Sequence, residues 1–352
     1  MNSSKNILIA PLNWGLGHAT RCIPIINKLI EHGFTPIIAS DGRALELLKK
    51  EFPHCVFESL PGYEVTYARE AKHFKLNMLL QIPKLIKAVI SEYRTIQKLH
   101  RHYQFCGVIS DNRLGVRLSK IPSVFITHQT KVMSGGTTYI STKIHRFFIH
   151  RFHRCWIPDM PSIPNLSGRL GHSEKLRIPV DYLGVISRFQ KSDTPLTYDL
   201  CILLSGPEPQ RTMLENQLKS EIVKYTFNTL FIRGVVEKEQ KTEKLGFVTY
   251  YNFMTSDELE QALNASKFIL SRSGYTTLLD LAALEKQAYF IPTPGQYEQE
   301  YLAKKLKKDG IVPYAKQHRF SFEKMWNEIK LYDGLRHFKH NTDWSSLFGI
   351  FQ

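Results

Sequence analysis

Two stretches of the chain hold residues whose types and order suit chemistry on a bound anion. In the first, an apolar run at residues 7–10 leads into Asn13-Trp14-Gly15-Leu16-Gly17-His18-Ala19-Thr20-Arg21 and then into a helical pattern at 22–31. Glycines at a strand-to-helix turn let the backbone approach a ligand, and a helix start favours negative charge. His18 stands where the chain leaves the carboxyl edge of the sheet. Open α/β sheets bind ligands at that edge, and an imidazole there can serve as a general base near neutral pH. The alternative is a helix-start histidine without chemistry. The turn lacks the third glycine of a dinucleotide fingerprint, so NAD or FAD is not indicated.

The second stretch starts on a strand at 268–271 and continues as Arg272-Ser273-Gly274-Tyr275-Thr276-Thr277 before a helix over 278–284. A guanidinium, hydroxyls and helix-start N–H groups converge there, as a diphosphate requires. Asp280 follows on that helix, placed to accept hydrogen bonds from ribose hydroxyls. The next strand leads to Gly295 and the cluster Gln296, Glu298, Gln299 and Glu300, side chains suited to sugar hydroxyls. Asp111, in Ile109-Ser110-Asp111-Asn112-Arg113, ends another strand. It can orient His18, act as the base itself, or cap the next helix. His128 and Gln129, after a strand at 123–126, either line an acceptor cleft or are hydrogen-bonded structural residues.

Holding these residues at sheet edges takes a particular scaffold. Short apolar runs at 7–10, 36–39, 107–110 and 123–127 alternate with amphipathic ones at 22–31 and 44–50, the βαβ rhythm of a parallel sheet. A second α/β run starts at Asp199, with strands at 200–204, 229–232, 247–250, 268–271 and 288–292 and helices at 213–224, 257–265, 276–284 and 299–308. A chain of 352 residues suits two such domains. Between them lie Pro158, Pro161, Pro164 and Pro179. The expected organisation is one α/β domain at 1–165, a linker at 166–190 and a second α/β domain at 191–331. The final segment, 332–352, is expected to pack back on the first domain.

The segment 271–300, together with the opening 15–21, resembles the family 28 glycosyltransferases. That resemblance implies an α/β GT-B fold, two Rossmann-like domains whose parallel sheets face each other across a cleft, and a uridine diphosphate sugar as donor. It places His18, with Gly17 in the same turn, beside the acceptor and the donor's anomeric carbon. Ser273 and Gly274 fall at the diphosphate with Arg272 beside them. Asp280 stands on the ribose where the family has Glu, and Gln299 and Glu300 stand on the sugar where it has a Gln-Gln pair. Arg188 matches a phosphate-binding arginine, and Phe253 and Met254 match the residues that pack a uracil.

The family's second glycine-rich loop appears as Leu204-Ser205-Gly206-Pro207-Glu208-Pro209-Gln210-Arg211. Two prolines there remove N–H donors and Glu208 would repel a phosphate, which weakens the expected contacts of Ser205 and Gly206. The activity implied is inverting, metal-independent transfer of a hexose or N-acetylhexosamine to a lipid-linked or glycan acceptor. His18 would take the acceptor's proton while Arg188, Arg272 and helix-start amides stabilise the leaving diphosphate. No D-x-D triplet suits a divalent ion, so neither metal nor cofactor is expected.

Composition bounds the partners. Lys and Arg number 47 against 32 Asp and Glu, a formal charge of +15 that favours anionic partners. Residues 72–103 carry seven Lys and Arg against Glu92 alone, interleaved with apolar side chains, and residues 143–154 alternate basic and aromatic ones. Either stretch can lie on an anionic membrane surface, or be an amphipathic helix with a core face and a solvated basic side. The N-terminus has no signal-peptide layout, so the expectation is a cytoplasmic protein, peripheral on the inner face of the membrane. Five scattered cysteines suggest neither a disulfide framework nor a zinc site. Two rivals are a UDP-sugar 2-epimerase, which needs further acid/base carboxylates, and a nucleic-acid-binding protein. The latter explains the charge but leaves His18 and 271–300 without purpose, so no nucleic acid partner is expected.

Overall fold

The structure, a computed structural model, describes residues 5–63, 74–173, 175–235, 237–338 and 341–352. The chain divides into two compact units, Met1–Arg188 with His340–Gln352 and Phe189–Lys339.

In the first unit the apolar runs and amphipathic stretches become β1 (Asn6–Pro11), α1 (Gly17–Glu31), β2 (Thr35–Ser40), α2 (Gly42–Glu51), β3 (Val56–Ser59), α3 (Phe74–Tyr103), β4 (Gly107–Asp111), β5 (Ser123–Ile126), α4 (Thr138–Ile149), β6 (Arg154–Ile157) and β7 (Val180–Tyr182). The strands form one sheet in the order β3-β2-β1-β4-β5-β6-β7, every pair parallel. Ile7, Leu8, Ile9 and Ala10 are all fully buried, the continuous apolar run of a strand covered on both faces. The chain builds outward from β1 to β3 and returns to lay β4 on the other side of β1. The connections leaving β1 and β4 therefore run to opposite faces, which opens a crevice at their carboxyl ends. Register sets Pro11 opposite Asp111 at that crevice.

Residues 166–190, expected as a linker, instead supply β7 to this sheet. A three-residue strand carries too weak a hydrophobic pattern to stand out among the prolines. The final segment divides as well: residues up to Lys339 group with the second unit, and the tail from His340 with the first. That tail forms a short helix, Trp344–Phe348, whose end packs Phe348 and Phe351 against Trp156 and Phe34. Gly107 makes room for it, since a Cβ there would run into the Phe351 ring.

The second unit contains β8 (Tyr198–Leu203), α5 (Gln210–Ile222), β9 (Thr229–Ile232), β10 (Thr242–Leu245), β11 (Val248–Tyr251), α6 (Ser256–Asn264), β12 (Ser266–Ser271), α7 (Tyr275–Ala283), β13 (Gln287–Phe290), α8 (Tyr297–Lys308) and α9 (Phe322–Ile329). Strand order is β10-β11-β9-β8-β12-β13, parallel apart from the edge pair β10 and β11. The switch of direction here falls between β8 and β12. Strand β10 was not apparent in the sequence because all four of its residues are exposed. Glu215 on α5 is nearly buried and meets Arg211 at 2.5 Å, Arg233 at 2.5 Å and Lys219 at 2.8 Å. Burial works to raise its carboxyl, but the cations hold it down at about 2.

Docking of the tail onto the first unit is testable. Phe351 is 5% exposed, so Phe351→Ala should lower that unit's stability by about 3–5 kcal/mol, the usual cost of truncating a buried Phe. Urea unfolding followed by tryptophan fluorescence measures it, and the transition of the second unit should not move.

Candidate active site

The helix α1 opens at Gly17, so His18 lies in its first turn and Arg21 lies three residues on along the same face. Both reach the end of β4. His18 Nδ1 is 2.9 Å from Asp111 Oδ1. Arg21 donates from Nε to Asp111 Oδ2 at 2.5 Å and from Nη2 to Oδ1, closing a two-toothed ion pair. Arg21 Nη2 also lies 2.7 Å from His18 Nδ1, and Nη1 lies 3.1 Å from Nδ1 of His128, the second residue past β5. The Cys22 thiol backs Asp111 at 3.6 Å. Asp111 is fully buried and Arg21 is 2% exposed, whereas the His18 side chain keeps 14% of its surface in solvent.

This geometry decides among the three readings of Asp111. No helix follows it in residues 112–122, so it caps nothing. Burial works to raise its carboxyl, but Arg21 and His18 hold it far below the usual carboxylate range. A carboxylate so firmly ionised, with both oxygens engaged, is a partner for His18 and a poor base. Burial and the neighbouring Arg21 push His18 down, against the upward pull of Asp111, so the imidazole is neutral near pH 7. A neutral imidazole at the carboxyl edge of the sheet is suited to accept a proton.

A second buried arginine sets the turn that carries His18. Arg113 is fully buried; it donates to the carbonyls of Pro11 at 2.9 Å and Pro61 at 3.1 Å and to Glu92 at 2.7 Å, and it pairs with Asp41. Asp41 in turn accepts from Asn13 Nδ2 at 3.0 Å. The loop after β1 is thus tied to β2, β4 and α3 through one guanidinium. Neither Arg21 nor Arg113 was picked out by sequence reasoning. The spacing of Arg21 from His18 was the available signal, but its target, Asp111, lies 90 residues away.

In the second unit, the loops leaving β8 and β12 flank the switch point. Ser205 and Gly206 lie in the exposed first loop, where Gly206 adopts φ +111°, a value that favours glycine. Glu208 was expected to repel phosphate. Instead it accepts from Arg211 Nε at 2.7 Å and from the Thr212 amide at 3.2 Å, which offsets its charge locally.

The second loop corrects the expectation for Arg272. Its guanidinium turns inward and donates to the carbonyls of Ile291 at 3.0 Å, Pro292 at 3.2 Å and Gln210 at 2.9 Å and to Gln317 at 3.0 Å. Burial lowers its pKa to about 10. Arg272 therefore ties the turn after β13 and the start of α5 to the loop, with both terminal nitrogens facing carbonyls and Gln317. The Ser273 hydroxyl is likewise engaged, donating to the Gln299 carbonyl at 2.8 Å. Gly274 is the N-cap of α7, with Asp280 half-buried farther along that helix.

Gln299 Oε1 accepts from the Thr293 amide at 2.9 Å, and Glu300 Oε1 accepts from the Gly295 amide at 3.1 Å. Both side chains brace the turn after β13. Phe253 and Met254 are half-buried in the turn between β11 and α6. His128 and Gln129 adjoin the His18 centre, with Gln129 Nε2 3.4 Å from His128 Nε2. Arg188 belongs to the first unit, where its Nη1 lies 4.0 Å from Glu51 on α2.

Residues 210–339 match the glycosyltransferase family 28 C-terminal domain. The second unit thus carries a family 28 C-terminal domain, and the chain is a glycosyltransferase. Over 318 residues, 87% of this chain and 84% of the relative, the transferase is 23% identical to the UDP-N-acetylglucosamine--N-acetylmuramyl-(pentapeptide) pyrophosphoryl-undecaprenol N-acetylglucosamine transferase of Clostridium tetani. Among solved structures it is similar to the glycotransferase of kitacinnamycin, with a TM-score of 0.63 over 94% of this chain and 90% of that one at 11% identity. Acinetobacter baumannii MurG aligns with a TM-score of 0.54 over 93% and 92% at 15% identity. The transferase therefore has the two-domain GT-B fold.

Asp111→Ala leaves the Arg21 guanidinium buried without its counter-ion and should destabilise the first unit by about 3–5 kcal/mol. The pH dependence has a definite sign. The Asp111 carboxyl is held below its ordinary 3.8, so its stabilisation is present above that value and drains as pH falls toward the folded-state value. Urea midpoints should fall in the wild type as pH drops below about 4, and less steeply in the variant.

Proposed function

We propose that the transferase moves an N-acetylhexosamine or hexose from a UDP-sugar to a lipid-linked acceptor in one inverting displacement, without a divalent cation. The observation that carries this reading is the partly exposed His18 held against Asp111 at the crevice between β1 and β4. His18 takes the proton of the attacking hydroxyl as that oxygen closes on the anomeric carbon from the face opposite the nucleotide. The diphosphate leaves against the positive end of α7 at Gly274 and the loop of Ser205 and Gly206. Asp280 binds the ribose, Phe253 and Met254 pack the uracil, and Gln299 and Glu300 hold the sugar. The Clostridium tetani relative is named for transfer from UDP-N-acetylglucosamine to an undecaprenol-linked acceptor, which supports the donor and acceptor classes.

Membrane docking on the cytoplasmic side is part of this proposal. No helix among the described residues is long and apolar enough to cross a membrane. On α4, Ile140, Ile144 and Phe147 follow helical spacing and are 61%, 43% and 55% exposed, with the Arg151 guanidinium 4.3 Å from the Phe147 ring. On α3, Ile86 and Ile90 are exposed beside Lys84 and Lys87. Residues 72–73 and the side chains at 74–82 lie outside the described residues. Exposed apolar residues with cations at their margin suit an anionic lipid surface.

Two experiments test the proposal. UDP and UDP-sugars should raise the melting temperature in wild type and His18→Ala alike, with or without EDTA. In membrane extract His18→Ala should lose about 100- to 10,000-fold in UDP release, the usual worth of a general base. No stabilisation by any uridine donor would remove the reading. Separately, the wild type should float with vesicles containing phosphatidylglycerol at low salt, and Ile144→Glu/Phe147→Glu should sediment. Equal flotation of the two would remove α4 from the docking surface.

A further inference from the structure

We propose that Arg21 is the positioning residue of this centre: it grips both oxygens of Asp111 while facing Nδ1 of His18 and of His128, so that one guanidinium fixes how two imidazoles and a carboxylate sit. Its fork makes this possible. Nε and Nη2 meet the two carboxylate oxygens, Nη1 points to His128, and Nη2 also faces His18. A lysine ammonium, a single point on a flexible stem, cannot occupy those positions together.

The arrangement leaves one ring nitrogen of His18 accessible. Nδ1 lies between Asp111 Oδ1 and Arg21 Nη2, whereas Nε2 has no hydrogen bond to any described residue. Donation of the Nδ1 proton to Asp111 would leave the Nε2 lone pair for an incoming hydroxyl. The charged and titratable groups facing His18 are Arg21 on its own helix, Asp111 at the end of β4 and His128 beyond β5, with Cys22 behind Asp111. Asp111 alone would favour the imidazolium and take His18 out of use as a base near neutrality. Arg21 offsets that pull, so it acts through His18 and does not touch the reacting atoms.

This inference draws its catalytic meaning from His18 as the base, yet its test needs no substrate. Histidine labelled with ¹⁵N in the full-length protein is titrated between about pH 5 and 8, where imidazoles ordinarily change charge, with His18 assigned through His18→Gln. In the wild type, His18 should titrate below the ordinary imidazole value. In Arg21→Met its titration should move up by about one pH unit, a tenfold change in protonation equilibrium. Arg21→Met/Asp111→Asn removes both charges, guards against misfolding of the single variant, and should bring the titration back toward the wild type. Arg21→Lys should keep the titration near the wild type while shifting the His128 ring resonances.

The proposal is overturned if Arg21→Met leaves the His18 titration unchanged, if the double variant keeps the raised value, or if Arg21→Lys leaves His128 undisturbed. Failure of His18 as the base would appear separately, as undiminished UDP release by His18→Ala.

Discussion

The buried ion pair between Arg21 and Asp111 is the contact on which the first unit's chemistry depends. It joins the first helix to the fourth strand across the switch point of the sheet, the one place where two connections part and leave strand ends accessible. A charge pair so deeply buried is costly to form and costly to break. Here both ions carry further bonds, from His18, Cys22 and His128, so the desolvated groups are satisfied as a set. The same contact that anchors α1 therefore also fixes the imidazole.

The two units use the same topological device with different material. Side chains occupy the sheet edge of the first: His18, Arg21, Asp111 and His128, with Arg113 locking the turn from behind. In the second, the comparable edge is made of backbone and turns. Arg272, Ser273, Gln299 and Glu300 spend their described hydrogen bonds on main-chain atoms and on Gln317, and so shape the loops after β12 and β13. The proposed binding of an anion there would fall to helix-start amides, whose direction is set by the fold and needs no side-chain charge. The substitution of prolines in the loop after β8 fits that division: the loop keeps its turn through Gly206, and Glu208 closes on Arg211.

Local pattern carried much of this in the sequence. Continuous apolar runs of four or five residues, punctuated by glycine turns and helical spacing, marked a parallel α/β chain and located β1, β4, β8 and β12. Those are the strands whose ends build the site, because strands buried on both faces leave the strongest hydrophobic trace. Edge elements left a weaker one: β10 is wholly exposed and β7 is three residues long. His18 was visible because its chemistry and its glycine turn are neighbours in the chain.

Pairing across the fold was not visible in that way. Whether Asp111 capped a helix, acted as a base or steadied a histidine turned on the distance between residues far apart in sequence, as did the burial of Arg272 among carbonyls. Residue type and spacing thus determined the class of fold and the edges at which chemistry could occur. Only the tertiary structure decided which charged side chains face a ligand and which face one another, because a charge takes its role from what surrounds it after the chain has closed.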